Sequence, residues 1–323
     1  MKTRSDGTGS KRLVKVAVCI ATYRRPDGLR ALLKSFDALR FDQAEPEITL
    51  VVVENCPEAP ATDTLGDISS LTRWPVLYVT EPERGIVAAR NRALATAPPD
   101  VDFIAFVDDD ETVSPEWLNA LLRTIMTSGA TAVQGPVRPD YETPPPDWVE
   151  QLRIFHLGPF NEGERLNFAA TNNSVVNAAF LRRHGLKFDP RFNATGGEDE
   201  EFYNRLRGAG GNICASEKAF VSDTVPANRL TVAWVARRKF RMGNTLGRIA
   251  LLRERGRAKR FAKGVLAIGY GLGLMLVLGL GSRARFFAGF LEVARGCGMI
   301  AAFARIRFTE YSQGAVLSDR RPG

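Results

Sequence analysis

Histidine and cysteine are scarce in this chain of 323 residues, which has two of the first and four of the second. His156 and His184 lack metal-ligand spacing, and Cys19, Cys56, Cys214 and Cys297 lie far apart with no C-x-x-C pair. The sequence therefore offers neither a disulfide framework nor a zinc site, and it suits a reducing compartment. No apolar h-region occurs between Met1 and Lys15. Nothing there directs secretion, and a cytoplasmic catalytic part is expected. A Gly-x-Ser-x-Gly elbow, a P-loop lysine motif and a Cys/His pairing are all missing, which leaves those nucleophile and phosphate-loop chemistries without support. The glycines from Gly269 to Gly273 sit in apolar surroundings, without the preceding strand and following acid that a dinucleotide fold requires.

What is present is unevenly distributed. The net charge of +8 comes from Arg229 to Lys263, which holds twelve Lys or Arg and one acid, Glu254. A nucleic-acid binder would need aromatics interleaved with these cations, and Trp234 and Phe240 are too few, so no nucleic-acid partner is expected. The basic stretch runs into Gly264 to Gly281, eighteen residues without a charge and with six glycines. A basic segment beside an apolar one suits anionic lipid head groups, so a membrane surface is the expected partner. The run is just long enough for one spanning helix, while its glycines permit close helix packing or a re-entrant path. A second apolar segment, Phe286 to Phe303, contains Glu292 and Arg295, which favours an interfacial helix or the return arm of a hairpin. Two core helices of a C-terminal subdomain are the plainer alternative.

The first 220 residues alternate strand-like and helix-like patterns. Val14 to Ile20 is a β-branched run ended by Thr22-Tyr23-Arg24-Arg25-Pro26, after which Leu29, Leu32, Leu33 and Phe36 recur at helical spacing. Ile48 to Val53, Val76 to Val79 and Phe103 to Val107 read as further strands, and Ile86 to Ala97 as a helix. Ser114 and Pro115 predict a helix start with Ser as N-cap and Pro at the first position. This alternation predicts an α/β fold with a mostly parallel sheet covered by helices on both faces. Ligands then bind at the carboxyl ends of the strands. Thr22 to Arg25, Glu54-Asn55 and Asp108-Asp109-Asp110 should meet in one crevice.

Asp108, Asp109 and Asp110 follow an apolar strand, and adjacent carboxylates are costly to hold together unless a cation neutralises them. A hard divalent cation, Mg²⁺ or Mn²⁺, bridging carboxylate and diphosphate is one reading, and a solvated acidic turn is the other. Arg84-Gly85 and Arg90-Asn91-Arg92 flank or lie within the helix from Ile86, where cationic side chains and free N–H groups meet an anion, although Arg90 and Arg92 cannot both face inward. Glu198 to Glu201 place consecutive acids behind the pair Gly196-Gly197 and ahead of an apparent helix, Phe202 to Arg207. Either these acids complement the helix dipole, or one of them serves as general base toward an acceptor hydroxyl.

Val16 to Pro26, Arg84 to Ala93, Phe106 to Asp110 and Gly197 to Asp199, in this order, resemble the motifs of family 2 glycosyltransferases, bacterial enzymes of exopolysaccharide assembly such as succinoglycan-type glucosyltransferases. The resemblance covers roughly Val14 to Arg248. It implies a GT-A nucleotide-diphospho-sugar transferase fold, a nucleotide-diphosphate sugar donor such as UDP-glucose, a divalent cation and inversion at the anomeric carbon. By the same resemblance Thr22, Tyr23 and Arg25 line the nucleoside pocket, Asp108 approaches the ribose, Asp110 holds the metal and Asp199 is the base. Glu54, standing where the family commonly has Asp, meets the nucleobase, and Arg84, Arg90, Asn91, Asp109 and Glu198 complete the substrate side. Thr171-Asn172-Asn173 lines the acceptor side by the resemblance, and is a turn or a buried Asn without it. Arg238-Lys239-Phe240-Arg241 lacks the Gln and Trp of the Q-x-x-R-W element of processive synthases, so single-sugar addition is expected.

The implied organisation is a polar tail (1–13), a catalytic domain (14–228), a basic helical segment (229–263), apolar membrane-associated helices (264–310) and a C-terminal tail (311–323). A polyprenyl-diphosphate-linked saccharide at the cytoplasmic face of a bacterial inner membrane is the expected acceptor. A sugar nucleotidyltransferase, which would release diphosphate, and a non-catalytic membrane assembly subunit with a degenerate transferase domain are the rival readings.

Overall fold

The computed structural model describes residues 12–193, 195–252 and 256–306. The expected C-terminal tail, and the N-terminal tail apart from 12 and 13, lie outside the described residues. The chain divides into two units that interleave along the sequence, one from 1–137, 158–188 and 202–222, the other from 138–157, 189–201 and 223–323.

The first unit is built on β1 (Lys15–Thr22), α1 (Pro26–Ser35), β2 (Glu47–Glu54), α2 (Thr62–Leu65), β3 (Val76–Thr80), α3 (Ile86–Thr96), β4 (Phe103–Val107) and β5 (Glu111–Val113), followed by α4 (Trp117–Ser128) and β6 (Ala132–Gln134). Val137 opens β7 (Val137–Tyr141), whose remainder belongs to the second unit together with α5 (Asp147–Gln151). The first unit resumes with β8 (Arg165–Leu166), β9 (Asn173–Asn177) and α6 (Ala178–His184). After α7 (Glu198–Gly208) come β10 (Ile213–Ala215) and β11 (Val221–Val225).

Eight strands form one sheet in the order β3-β2-β1-β4-β9-β6-β10-β8. The pairs β1–β2, β2–β3, β1–β4 and β6–β10 are parallel, whereas β4–β9, β6–β9 and β8–β10 are antiparallel. Val16 to Ile20, Leu50 to Val53 and Ile104 to Val107 are buried, as expected of strands covered on both faces, and their β-branched composition fits that setting. The amphipathic spacing of α1 buries Leu29, Leu32 and Leu33, and Phe36 follows them into the core. Behind β4, Phe106 meets Phe188 edge-on at 5.8 Å, and Phe188 stacks on Phe202 at 4.4 Å. These aromatic contacts add to plain area burial.

Two local expectations shift. The predicted start at Ser114 moves to Trp117, because residues 114–117 close a turn in which the Trp117 N–H donates to the Ser114 carbonyl at 2.9 Å while the Pro115 carbonyl accepts from Arg40 N–H at 2.8 Å. The helix expected over Phe202 to Arg207 begins earlier, at Glu198, so all four acids lie in its first turn, where the dipole favours them.

The second unit is mainly helical. The basic segment forms α8 (Val232–Leu252) and the first turns of α9 (Arg257–Gly273); the second apolar segment forms α10 (Arg283–Phe303). Arg257–Val277 and Arg283–Phe303 are both long and apolar enough to cross a membrane. Val149, Phe155, Val225, Leu230, Val235 and Leu291 make the core of this unit.

Asn173 is wholly structural. Its carbonyl oxygen accepts from Trp117 Nε1 at 2.8 Å, and its amide nitrogen donates to the carbonyls of Pro136 at 2.9 Å and Ala219 at 2.7 Å, with no exposed surface. Asn173→Ala removes three buried hydrogen bonds, the Pro136 carbonyl keeping the one from Val221 N–H, and should lower stability by about 3 kcal/mol, to be read from the urea midpoint at unchanged slope.

Candidate active site

The carboxyl ends of β1, β2 and β4 lie side by side, because β1 pairs in parallel with both neighbours. Each ends in polar residues. Asp108, Asp109 and Asp110 follow β4, and each carboxylate has a partner of different kind. Asp109 is buried; its Oδ2 accepts from Thr22 Oγ1 at 2.8 Å and from the Tyr23 N–H at 3.3 Å, and its Oδ1 accepts from Arg25 Nη1 at 3.0 Å. The same Arg25 nitrogen donates to Asp110 Oδ2 at 2.8 Å. Asp108 Oδ1 accepts from Arg90 Nη2 at 3.0 Å. Arg90 is buried on α3 while Arg92 is exposed, which resolves which of the two faces inward.

Burial pushes the Asp109 carboxyl up to about 6, although Arg25 beside it pulls the other way. Burial raises Asp108 as well, opposed by Arg90. For Arg25 the order reverses: burial disfavours its charge, but Asp109 and Asp110 outweigh that and hold the guanidinium above its ordinary value. Three adjacent carboxylates thus share two arginines in this turn.

Backbone geometry fixes this arrangement. Arg24, between β1 and α1, adopts a left-handed φ of +54°, which a non-glycine residue holds only when its surroundings impose it. Its Nε donates to Cys56 Sγ at 3.2 Å. Gly28, in the first turn of α1, packs so closely on the acidic turn that a Cβ there would lie 2.5 Å from the Asp109 carbonyl oxygen. The acidic turn is held from the far side by Glu111, whose Oε2 accepts from the Asp108 N–H at 3.0 Å and whose Oε1 accepts from Asn172 Nδ2 at 3.2 Å.

The second rim is organised by Asn55. Its Nδ2 donates to the carbonyls of Glu81 at 2.9 Å and Glu83 at 2.7 Å, and its Oδ1 accepts from the Gly85 N–H at 2.7 Å. Gly85 has φ +134°, a value suited to glycine alone, and it caps α3. Arg84 beside it places its guanidinium 5.2 Å from the Tyr23 ring, with Arg24 at 5.3 Å, so two cations sit on one aromatic.

Of the residues singled out in the sequence, Thr22, Tyr23, Arg25, Arg84, Arg90, Asp108, Asp109 and Asp110 are gathered at this edge. Glu54 and Asn91 lie there too, with their polar atoms committed to the backbone. Glu54 is buried and accepts from the N–H groups of Cys56 and Ala61, both at 2.9 Å. The Asn91 amide pairs with Phe188 N–H and C=O at 2.8 and 2.9 Å. Both brace loops. Glu111 is a further organising residue that sequence reasoning passed over; a buried acid directly after three others carries no distinguishing local pattern.

Glu198 and Asp199 belong to the second unit. Glu198 is buried, and Asp199 Oδ1 accepts from the Glu200 N–H at 2.7 Å. The segment leading to them is held by α8: Arg248 donates to Thr195 Oγ1 and, at 3.1 Å, to the Arg191 carbonyl, while the Thr245 side chain packs on Gly197.

Two substitutions test this frame. Gly28→Ala forces the acidic turn to move and should cost about 1–3 kcal/mol, whereas Gly208→Ala, with nothing within 4 Å of the added carbon, should be neutral or mildly stabilising in the same denaturation series. Asn55→Ala should accelerate exchange of the Gly85 amide by roughly tenfold or more relative to the β1 amides, as local opening no longer breaks that bond.

Comparison with known proteins agrees with this architecture. The family model described as "Glycosyl transferase family 2" matches residues 17–186. Succinoglycan biosynthesis protein ExoM of Rhizobium meliloti (strain 1021) is 35% identical over 79% of this chain and 80% of its own length. Glucosyl-dolichyl phosphate glucuronosyltransferase of Haloferax volcanii is 28% identical over 45% of each. Among solved structures, S. aureus TarS 1-349 in complex with UDP-GlcNAc superposes with a TM-score of 0.51 at 14% identity, covering 93% of this chain and 98% of that one; at such identity the likeness speaks to fold alone. The sheet order, the acidic turn at the end of β4 and the match over 17–186 lead to one conclusion: this chain belongs to glycosyl transferase family 2 and is a glycosyltransferase.

Proposed function

We propose that the chain transfers a single hexose, with inversion, from a nucleotide-diphosphate sugar such as UDP-glucose to a lipid-linked or saccharide acceptor in bacterial surface polysaccharide synthesis. The observation that carries this reading is the acidic turn Asp108–Asp110, which lies at the carboxyl edge of the sheet beside Tyr23 and Arg25. The first part of the reading is supported by TarS, whose solved forms include complexes with UDP and UDP-GlcNAc. The biological setting is supported by the name of ExoM, a succinoglycan biosynthesis protein.

A hard divalent cation fits the donor set. The donor set is carboxylate oxygen: Asp109 is held by Thr22, Tyr23 and Arg25, and Asp110 and Asp108, which pair with Arg25 and Arg90, would supply the one or two protein ligands that Mg²⁺ or Mn²⁺ takes beside a diphosphate. No group of three or more His, Cys, Asp or Glu side chains placed to hold a metal occurs among the described residues. When bound, the cation stabilises charge on the leaving nucleoside diphosphate. Arg84, exposed at the start of α3, adds a cation for the same oxygens. The Tyr23 ring offers a face for a nucleobase.

Asp199 is assigned as the base that takes the proton of the acceptor hydroxyl as it attacks the anomeric carbon. Its place in the first turn of α7 leaves one oxygen on the Glu200 N–H and the other for that proton. The cytoplasmic face of the inner membrane, where nucleotide sugars and polyprenyl-diphosphate-linked acceptors meet, is the proposed site of action. The two apolar helices of the second unit support that placement.

A panel of UDP-, GDP- and dTDP-sugars, with Mn²⁺ or EDTA and with membrane lipid extract as acceptor, tests the reading. Metal-dependent release of nucleoside diphosphate is expected, reduced roughly a thousandfold by Asp110→Ala and by roughly 10² to 10⁴ by Asp199→Asn. Release of inorganic diphosphate would favour nucleotidyl transfer, and nucleotide binding without turnover would favour a degenerate subunit.

A further inference from the structure

The second unit exposes one broad apolar surface whose shape and neighbours define how it meets a bilayer. Along Arg257–Val277, Phe261, Leu266, Tyr270, Leu272, Leu276 and Val277 are exposed, Leu266 at 69%, Leu276 at 72% and Val277 at 73%. With 3.6 residues per turn these positions fill one half of the helix circumference. The opposite half carries Gly264, Ala267 and Gly271, which are buried. A contiguous exposed apolar strip of this size calls for an apolar partner.

The buried half is locked to α10 by backbone contact. A Cβ on Gly271 would lie 2.5 Å from the Gly289 carbonyl oxygen, and one on Gly296 would lie 2.7 Å from that of Gly264, so the two helices run antiparallel at the closest possible spacing. On its other side α10 packs along its length on α5 and α8 of the same unit. Near its start Phe287 packs on Trp148 of α5 at 5.0 Å. In the middle Leu291 enters the core with Val149 and Val235. Toward its end a Cβ on Gly298 would lie 1.9 Å from the Phe240 carbonyl oxygen of α8, and one on Gly243 would lie 2.0 Å from that of Arg295. The helix α8 carries Arg237, Arg238, Lys239 and Arg241, and α10 itself carries the Glu292–Arg295 pair. Taking α10 across a bilayer would carry these charges into hydrocarbon, and α9 cannot cross without α10.

We infer that α9 lies in the plane of an anionic lipid surface, its outward half immersed in the interface, and that neither α9 nor α10 spans the membrane. Charge complementarity identifies the lipid as anionic. Arg257, Lys259 and Lys263 are exposed at the start of α9, Arg283 and Arg285 at the start of α10, hence at the opposite end of the strip, and no acid interrupts Arg257–Val277. Cations at both ends of an apolar half-cylinder suit a helix lying flat with head groups at each end. This rests on the membrane placement proposed above but is independent of donor and acceptor.

The test uses full-length protein with Cys297→Ser, since Cys19, Cys56 and Cys214 are buried, and single reporter cysteines at Leu266, Leu276 and Arg283. Flotation with phosphatidylglycerol-containing vesicles should exceed that with phosphatidylcholine vesicles. Nitroxide lipids labelled near the head group should quench probes at 266 and 276 alike, and 283 should stay reactive to a maleimide outside sealed vesicles. Leu266→Gln with Leu276→Gln, both exposed in the fold, should lower partition roughly tenfold or more while donor turnover in detergent is unchanged. A graded depth from 266 to 276, or protection of 283, would establish a span and overturn the inference. So would absence of vesicle binding, including the case in which dimerisation shields the same probes. Donor turnover in the same samples reports separately on the catalytic reading.

Discussion

Asp109 is the anchor on which the catalytic edge depends. Its buried carboxylate joins the end of β1, through Thr22 and the Tyr23 N–H, to the acidic turn after β4, through its own backbone. Parallel pairing aligns the strands, but pairing stops at Cys19 opposite Phe106. Beyond that point only side-chain bonds keep the two strand ends in register. Burial raises the affinity of this carboxyl for a proton, and the donors around it keep the cost of its charge tolerable. With Asp109 fixed, its neighbours in sequence diverge: Asp108 reaches toward α3 and Asp110 toward Arg25 and the open side. Three adjacent acids thus point to three different surroundings.

Both the architecture and the acidic turn were legible in the sequence, for identifiable reasons. Phe103 to Val107 is apolar throughout and is cut off by charge, and the strand has those bounds. The α1 stripe and the Pro26 start were equally direct. What escaped was decided by contacts distant in sequence. Glu54 and Asn91 read as ligand-facing because they sit at strand and helix positions that face the crevice, yet the backbones of Cys56, Ala61 and Phe188 claim their polar atoms. Asn173 reads as an acceptor-side residue by the resemblance and as a buried amide or turn without it, and its pairing with Trp117 and two remote carbonyls makes it a buried amide. The division of the chain was also hidden. The second unit takes 138–157 and 189–201 from within the stretch 14–228 expected to form one catalytic domain, and hydropathy carries no mark of such interleaving.

The helices of the second unit use glycine for packing where the catalytic edge uses it for turns. Close approach between α8, α9 and α10 replaces side-chain interdigitation with backbone contact, which leaves the larger apolar residues of α9 on the outside. Gly264 and Gly271, with Ala267, thereby give the inner face of α9 small residues while its bulky side chains lie on the outer one.

Asn55 ties the end of β2 to 81–85 through both ends of one short amide, while Glu54 beside it closes the loop to Ala61. Two stretches of chain that differ freely in length and composition elsewhere are here geared to a single pair of residues. Variation in this rim is therefore inherited as a block: a change of loop length on one side is accommodated only if the other side re-forms the same amide contacts.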